Sequence, residues 1–187
     1  MPRLHRFAQA HPDISLNLSA AHTPSDFALG QADIDIRYGV PQWGDLVVEP
    51  LFEEAIVPLA SPAFIKANRL TRIEQLLELP LIQSNVSIVQ WSDWFGHFSR
   101  LRAPDRFALR FDRAQMSLDA ATQGLGVALE SAVNAGGHLA DGKLKAPFGL
   151  DKAVRVKAHF AVYPERHAKR SAVESFLAWL HGEAART

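Results

Sequence analysis

The sequence predicts an α/β protein of two Rossmann-like subdomains with a cleft between them. Three observations predict it. Apolar residues switch repeatedly between the period of two that marks a strand and the three-to-four spacing of a helix face. Strand and helix patterns alternate along the chain, the order expected of parallel strands joined by crossover helices. Two runs, around Val57-Pro58 and residues 156–159, read as hinges, because a chain that leaves one α/β unit and returns must cross twice. On that reading residues 1–57 with 158–187 form subdomain I, and residues 58–157 form subdomain II.

Composition sets the outer bounds. At 187 residues and 48% hydrophobic content the chain can bury a real core. Lysine plus arginine equals aspartate plus glutamate at 20 each, so no net field draws the whole chain to nucleic acid or an anionic membrane. No apolar run is long enough for a membrane span, and Met1-Pro2-Arg3-Leu4 lacks the apolar core of a secretory signal, which makes the cytoplasm the expected location. The absence of cysteine removes disulfides and thiolate chemistry.

The elements follow in order. Residues 2–10 place Leu4, Phe7 and Ala8 on one helical face, which His11-Pro12 ends because the residue before proline is pushed out of the helical region. Ile14, Leu16 and Leu18 alternate as a strand, and Thr23-Pro24-Ser25-Asp26 reads as a turn capping a short helix through Leu29. The stretch DIDIRYG at 33–39 is the central strand. Its Ile34, Ile36 and Tyr38 alternate with Asp33, Asp35 and Arg37, and Gly39 and Pro41 stop it. After a loop with Trp43 and Gly44, the apolar run 55–60 leads into Ser61-Pro62, an N-cap followed by proline at the first helical position.

In the second half, residues 71–74 read as a capping box opening a helix through Leu77, and residues 79–83 as a strand. Trp91, Trp94, Phe95 and Phe98 share one helical face. We read that face as core rather than as a base-stacking platform, because no basic residue interleaves with it before Arg100. Phe107, Leu109 and Phe111 alternate as a strand, residues 114–123 form a helix capped at Gly124, and residues 126–129 return as a strand. A last strand at 159–163 precedes a capping box at 171–174 and a helix burying Val173, Phe176, Leu177 and Leu180.

The chemistry-bearing residues point to binding. No histidine pair has the close helical spacing of a zinc site, and there is neither a G-x-S-x-G elbow nor a phosphate-binding loop ending in lysine. Gly124-Leu125-Gly126 is too short for a dinucleotide fingerprint and enters a strand where that motif must enter a helix. Glu53 and Glu54 are adjacent and point apart. We therefore expect no catalytic residue, no metal and no cofactor. Polar residues at strand ends and helix starts, namely Thr23, Ser25, Tyr38, Ser84, Asn85 and Ser87, are where an open α/β sheet offers hydroxyls and free amides to a ligand, although such residues also serve as simple caps.

DIDIRYG, the tryptophan-bearing loop and EPLFEEAIVPLASPAF together resemble the effector-sensing (substrate-binding) domain of LysR-type transcriptional regulators, in the subgroup that includes the glycine-cleavage activator and the beta-lactamase regulator. SLDAATQGLGVALE, the turn at 142–148 and Trp179-Leu180 extend the resemblance over nearly the whole chain. It implies a periplasmic-binding-protein-like fold of type 2 and no enzymatic activity. A small-molecule effector would sit in the cleft, and the chain would form a homodimer through its first helix. DNA would be reached only through an N-terminal domain that this sequence does not contain. Carried over residue by residue, Thr23 matches the turn after the family's second strand, Tyr38 and Gly39 the end of the third, and Ser84 and Asn85 the first loop of subdomain II. Glu130 and Ser131 follow a matching strand, and Tyr163 lies beside the return crossover.

There are three departures from the family pattern. Val40-Pro41 stands where the family has a glycine-rich loop, Glu130 where it often has another residue, and the sequence opens at the first helix, without the family's first sensing-domain strand. Helix N-termini and hydroxyls at strand ends predict an anionic effector. A solute-binding receptor of the same fold remains the alternative, and a small enzyme on that fold a third reading.

Overall fold

The computed structural model describes residues 3–21 and 23–186; Met1 and Pro2, where the first helix was expected to open, and His22 lie outside the described residues. The chain forms two compact units, Met1–Glu53 with Lys157–Thr187, and Glu54–Val156.

In the first unit, α1 (Leu4–Ala10) closes at His11, whose amide donates to the Phe7 carbonyl. Phe7 is fully buried against Phe176 and Trp179 of the C-terminal helix α7 (Ser171–Ala184). Strand β1 (Asp35–Tyr38) pairs antiparallel with β6 (Val154–Tyr163), Tyr38 facing His159 and Asp35 facing Val162. The order in this unit is β1-β6-β2, β2 being the long strand Val47–Leu59. Alternation along β6 feeds two clusters: Ala161 and Tyr163 pack with Val173 and Leu177 of α7, while Phe160 and Val162 pack with Phe27, Trp43 and Leu46.

Four sequence expectations change here. DIDIRYG forms an end strand of this order rather than a central one, and its neighbour is antiparallel. Residues 14–18 do not form a strand; Ile14 and Leu16 are half-buried and Ser15 and Asn17 exposed as the alternation predicts, but Leu18 is exposed. Alternation records which side chains face inward; a strand also needs a neighbour offering ladder hydrogen bonds. The capped helix through Leu29 is a single turn in which Asp26 Oδ1 accepts from the amides of Ala28 and Leu29 at 2.8 and 3.2 Å. At α7 the expected capping box is absent: Arg170 is the N-cap, without a side-chain cap, and Ser171 is already helical.

The second unit follows the expected α/β order more closely. After β2 come α2 (Pro62–Ala67), a 3-10 turn (Ile73–Glu78), β3 (Leu81–Ser84), α3 (Trp91–Phe98), β4 (Leu109–Phe111), α4 (Ala114–Thr122), β5 (Val127–Ser131), α5 (Gly136–Ala140) and a 3-10 turn (Leu150–Lys152). A short helix, α6 (Glu165–Ala168), completes the chain in the first unit. β3 is parallel to both β4 and β5, whereas β2 is antiparallel to β5, giving the order β2-β5-β3-β4 and a mixed pattern rather than an all-parallel one. Ser61 caps α2, its hydroxyl accepting from the Phe64 amide at 3.3 Å with Pro62 at the first position. Gln75, not Glu74, closes the other expected cap, its Oε1 accepting from the amides of Thr71 and Arg72.

Both faces of these strands are covered. On one, Trp91, Trp94 and Phe95 of α3 are fully buried over Ile56, Leu81, Val127 and Leu129; on the other, Leu118 and Ala121 of α4 lie over Val57, Leu59, Ile82 and Ala128. Strands buried on both sides read as continuous apolar runs, which is why 55–60 and 126–129 show little alternation. Gly126 is required where β5 starts: a Cβ there would sit 2.3 Å from the Pro80 carbonyl oxygen, which accepts from Val127 N–H at 2.9 Å.

Candidate functional site

In the second unit the ends of β3 and β5 bring together Ser84, Asn85, Glu130 and Ser131. The parallel register pairs Ile82 with Ala128, so two residues on Ser84 comes beside Glu130, on the same face of the strands as Ile82 and Ala128. β2 places Val57 opposite Glu130 from the other side. That face is covered by α4, and Ser117 adjoins Leu118 in the part of the helix that lies over it. Glu130, Ser84 and Ser117 are 3%, 2% and 0% exposed. Glu130 Oε1, Ser84 Oγ and Ser117 Oγ are all buried without a hydrogen-bond partner of normal geometry among the described residues.

Burial in these apolar surroundings pushes the Glu130 carboxyl up to about 7, and the negative charge of Glu54, itself 1% exposed, adds to the rise. The nearby hydroxyls of Ser117 and Ser84 and the Ser131 backbone pull it back only in part.

Neighbouring candidates have structural partners. Ser131 Oγ accepts from Val133 N–H at 3.3 Å, and Asn85 N–H donates to the Phe111 carbonyl at 2.8 Å, leaving the Asn85 side chain exposed beside the strand ends. Ser87 closes a local turn, donating to the Val89 carbonyl at 2.9 Å, so the cap reading applies to it.

In the first unit, Tyr38 ends β1 half-buried, its ring 4.8 Å from that of His159, and Gly39 follows at φ 139° with its amide on the Ala158 carbonyl. Thr23 is exposed in a bend. Tyr163 is buried within the unit, where its hydroxyl donates to Glu49 at 2.8 Å and His181 meets the same carboxylate at 2.7 Å. Each unit also carries an open groove, and of the sequence candidates only Ser25 lines either of them. One, of about 700 Å³, runs past Ser25, Phe27, Arg37 and Glu165; the other, of about 610 Å³, past Ser61, Phe64, Thr122 and Lys143. Arg37 in the former is held by Asp35 at 3.0 Å and faces the Phe27 and Trp43 rings.

Sequence reasoning missed Ser117 and Glu54. The one signal for Ser117 was a serine directly beside Leu118 on the buried face of α4; for Glu54 there was none, since an acid next to Glu53 in a charged run reads as solvated. Among the described residues, no group of three histidine, cysteine, aspartate or glutamate side chains is placed to hold a metal ion. The buried oxygen cluster offers acceptors and hydroxyls, groups suited to binding.

The LysR substrate binding domain family matches residues 1–185. The chain belongs to that family. Its relatives include the HTH-type transcriptional regulator PerR of Escherichia coli, 38% identical over 98% of this chain and 61% of its own length. The transcriptional activator AmpR of Rhodobacter capsulatus is 32% identical over 99% of the chain and 62% of its own length. The chain thus spans about three-fifths of the length of these curated relatives. Among solved structures, the effector domain of AmpR from Pseudomonas aeruginosa superposes with a TM-score of 0.83 at 32% identity, covering 98% of this chain and 88% of that one. The mixed α/β architecture is therefore that of LysR effector-binding domains, of the periplasmic-binding-protein-like type.

Proposed function

We propose that this LysR-family domain is the sensing part of a bacterial transcriptional regulator, binding a small metabolite and passing the event to a DNA-binding domain outside this chain. The family match across residues 1–185 carries the reading, and the regulators among its relatives support it over a solute receptor or an enzyme. No described helix is long and apolar enough to cross a membrane, in keeping with work in the cytoplasm, where the operator lies.

The effector in this reading is a small anionic or zwitterionic metabolite. In the second unit Ser84 and Asn85 at the end of β3 and Ser131 at the end of β5 are the groups offered to it, and in the first unit Tyr38 and Gly39 at the end of β1. Thr23 joins them as an exposed hydroxyl, while Tyr163, committed to Glu49, positions β6 rather than the ligand. Binding alters transcription only if the domain's two conformations differ in affinity for the effector. With an effector found by thermal-shift screening, Tyr38→Ala and Ser84→Ala are each expected to weaken binding about tenfold, the loss of one well-made contact. Calorimetry giving parental affinity for both folded variants places the site elsewhere.

The domain also self-associates through α1 in this reading. The inner face of α1 is occupied by Phe7, while Gln9 and Ala10 are exposed and Arg6, also exposed, reaches Glu183 at 3.5 Å. Sedimentation equilibrium is expected to show a concentration-dependent dimer that Arg6→Glu weakens; a monomer at every concentration contradicts it.

A further inference from the structure

The polar cluster enclosed beneath α4 shares Ser84 with the effector reading but does not rest on it. We infer that Glu130, Ser84 and Ser117 form a buried binding site for one small monovalent cation, an alkali ion or an ammonium group, inside the second unit. Three side chains from β5, β3 and α4 converge there by register and helix face, each at least nine-tenths buried; the two hydroxyls lie close enough to the carboxyl to lower its pKa, yet Glu130 Oε1 and both hydroxyl oxygens make no hydrogen bond of normal geometry among the described residues. Buried oxygens gathered without well-formed hydrogen bonds call for an occupant between them, a water or an ion.

The chemistry of the donors selects the occupant. All three atoms are oxygens, one belongs to a carboxylate, and the charge bearing on them is the negative Glu54 of β2, so an anion is repelled and a hard cation attracted. The other charged groups nearby are engaged elsewhere: on α4, Asp119 accepts from Gln115 at 2.9 Å, and the guanidinium of Arg110 on β4 lies over the Phe107 ring at 4.8 Å. A divalent ion takes several carboxylates or keeps a shell of waters, whereas these unpartnered atoms supply one negative charge. Water alone would satisfy the hydroxyls and leave the carboxylate charge uncompensated in an apolar interior. Proton and cation compete for the same carboxylate, so acid must displace the ion.

The test is the unfolding midpoint of the whole chain near pH 8.5 in chloride salts of sodium, potassium, ammonium, methylammonium or choline at matched ionic strength. At least one small cation is expected to raise the midpoint above that in choline by about 4 °C. Glu130→Gln is expected to abolish the difference while itself exceeding the parent in choline. Ser117→Ala, which keeps the carboxylate, is expected to weaken the apparent affinity at least fivefold. The parent's affinity should fall about tenfold per unit as pH drops below 7. A response to sodium or potassium identifies a free ion; one confined to ammonium and methylammonium identifies the amine end of a larger ligand. Equal midpoints in all five salts leave a water or a proton as the occupant and overturn the site. A response undiminished in Glu130→Gln overturns it equally.

Discussion

Trp94→Ala is expected to lower the stability of the purified chain by about 3–5 kcal/mol, the range for deleting a fully buried large aromatic. Trp94 is 0% exposed, and its ring meets those of Trp91, Phe95, Phe98 and Phe148. Its indole N–H donates to the Lys152 carbonyl at 2.7 Å, so the substitution also orphans an acceptor in the 3-10 turn Leu150–Lys152. No neighbouring side chain collapses into the gap without breaking the aromatic cluster on that face of the strands. Urea unfolding measures the change. A loss below about 1 kcal/mol would mean that α3 is not the anchor of the second unit.

The second large effect is a pH dependence. The native Glu130 carboxyl titrates at about 7 against a reference of 4.5, so the folded chain holds this proton more tightly than the unfolded chain does. A native pKa raised in this way contributes stability that is fully present below 4.5 and is lost as pH rises through 7. The shift corresponds to about 3 kcal/mol. In choline chloride, parent and Glu130→Gln are therefore expected to diverge steadily between pH 4.5 and 8, the parent falling relative to the variant. Parallel stability curves would show that Glu130 is solvated or paired in the folded chain.

Glu130 also illustrates how far a candidate site can be read from sequence. Its place at the end of a strand was legible, since GVALES runs apolar until the acid and continues a helix capped at Gly124. Its enclosed setting was not, because that comes from Ser84, 46 positions earlier, and Ser117, 13 positions earlier, arriving on the same side of the strands. Tyr163 runs the other way. A tyrosine beside a crossover read as a ligand contact, and what the fold adds is Glu49, which accepts from its hydroxyl and also meets His181.

What the sequence by itself determined is what local physics controls. Ser61-Pro62 starts a helix through one side-chain acceptor and one fixed φ, Gly124 ends another at φ 77°, and the spacing of Trp91, Trp94 and Phe95 specifies a buried face before any partner is known. Family membership was legible for the same reason, being carried by contiguous wording such as DIDIRYG and SLDAATQGLGVALE. Only the tertiary structure decided which alternating stretches become strands and in what direction. Asp35–Tyr38 finds an antiparallel neighbour in β6, from 121 residues later at Tyr38–His159 to 127 at Asp35–Val162, whereas residues 14–18, read from the same kind of alternation, form no ladder. Ladder hydrogen bonds belong to pairs of segments distant in sequence, and the burial that raises a carboxyl's pKa belongs to everything packed around it; neither is a property that a residue's own neighbours in the chain encode.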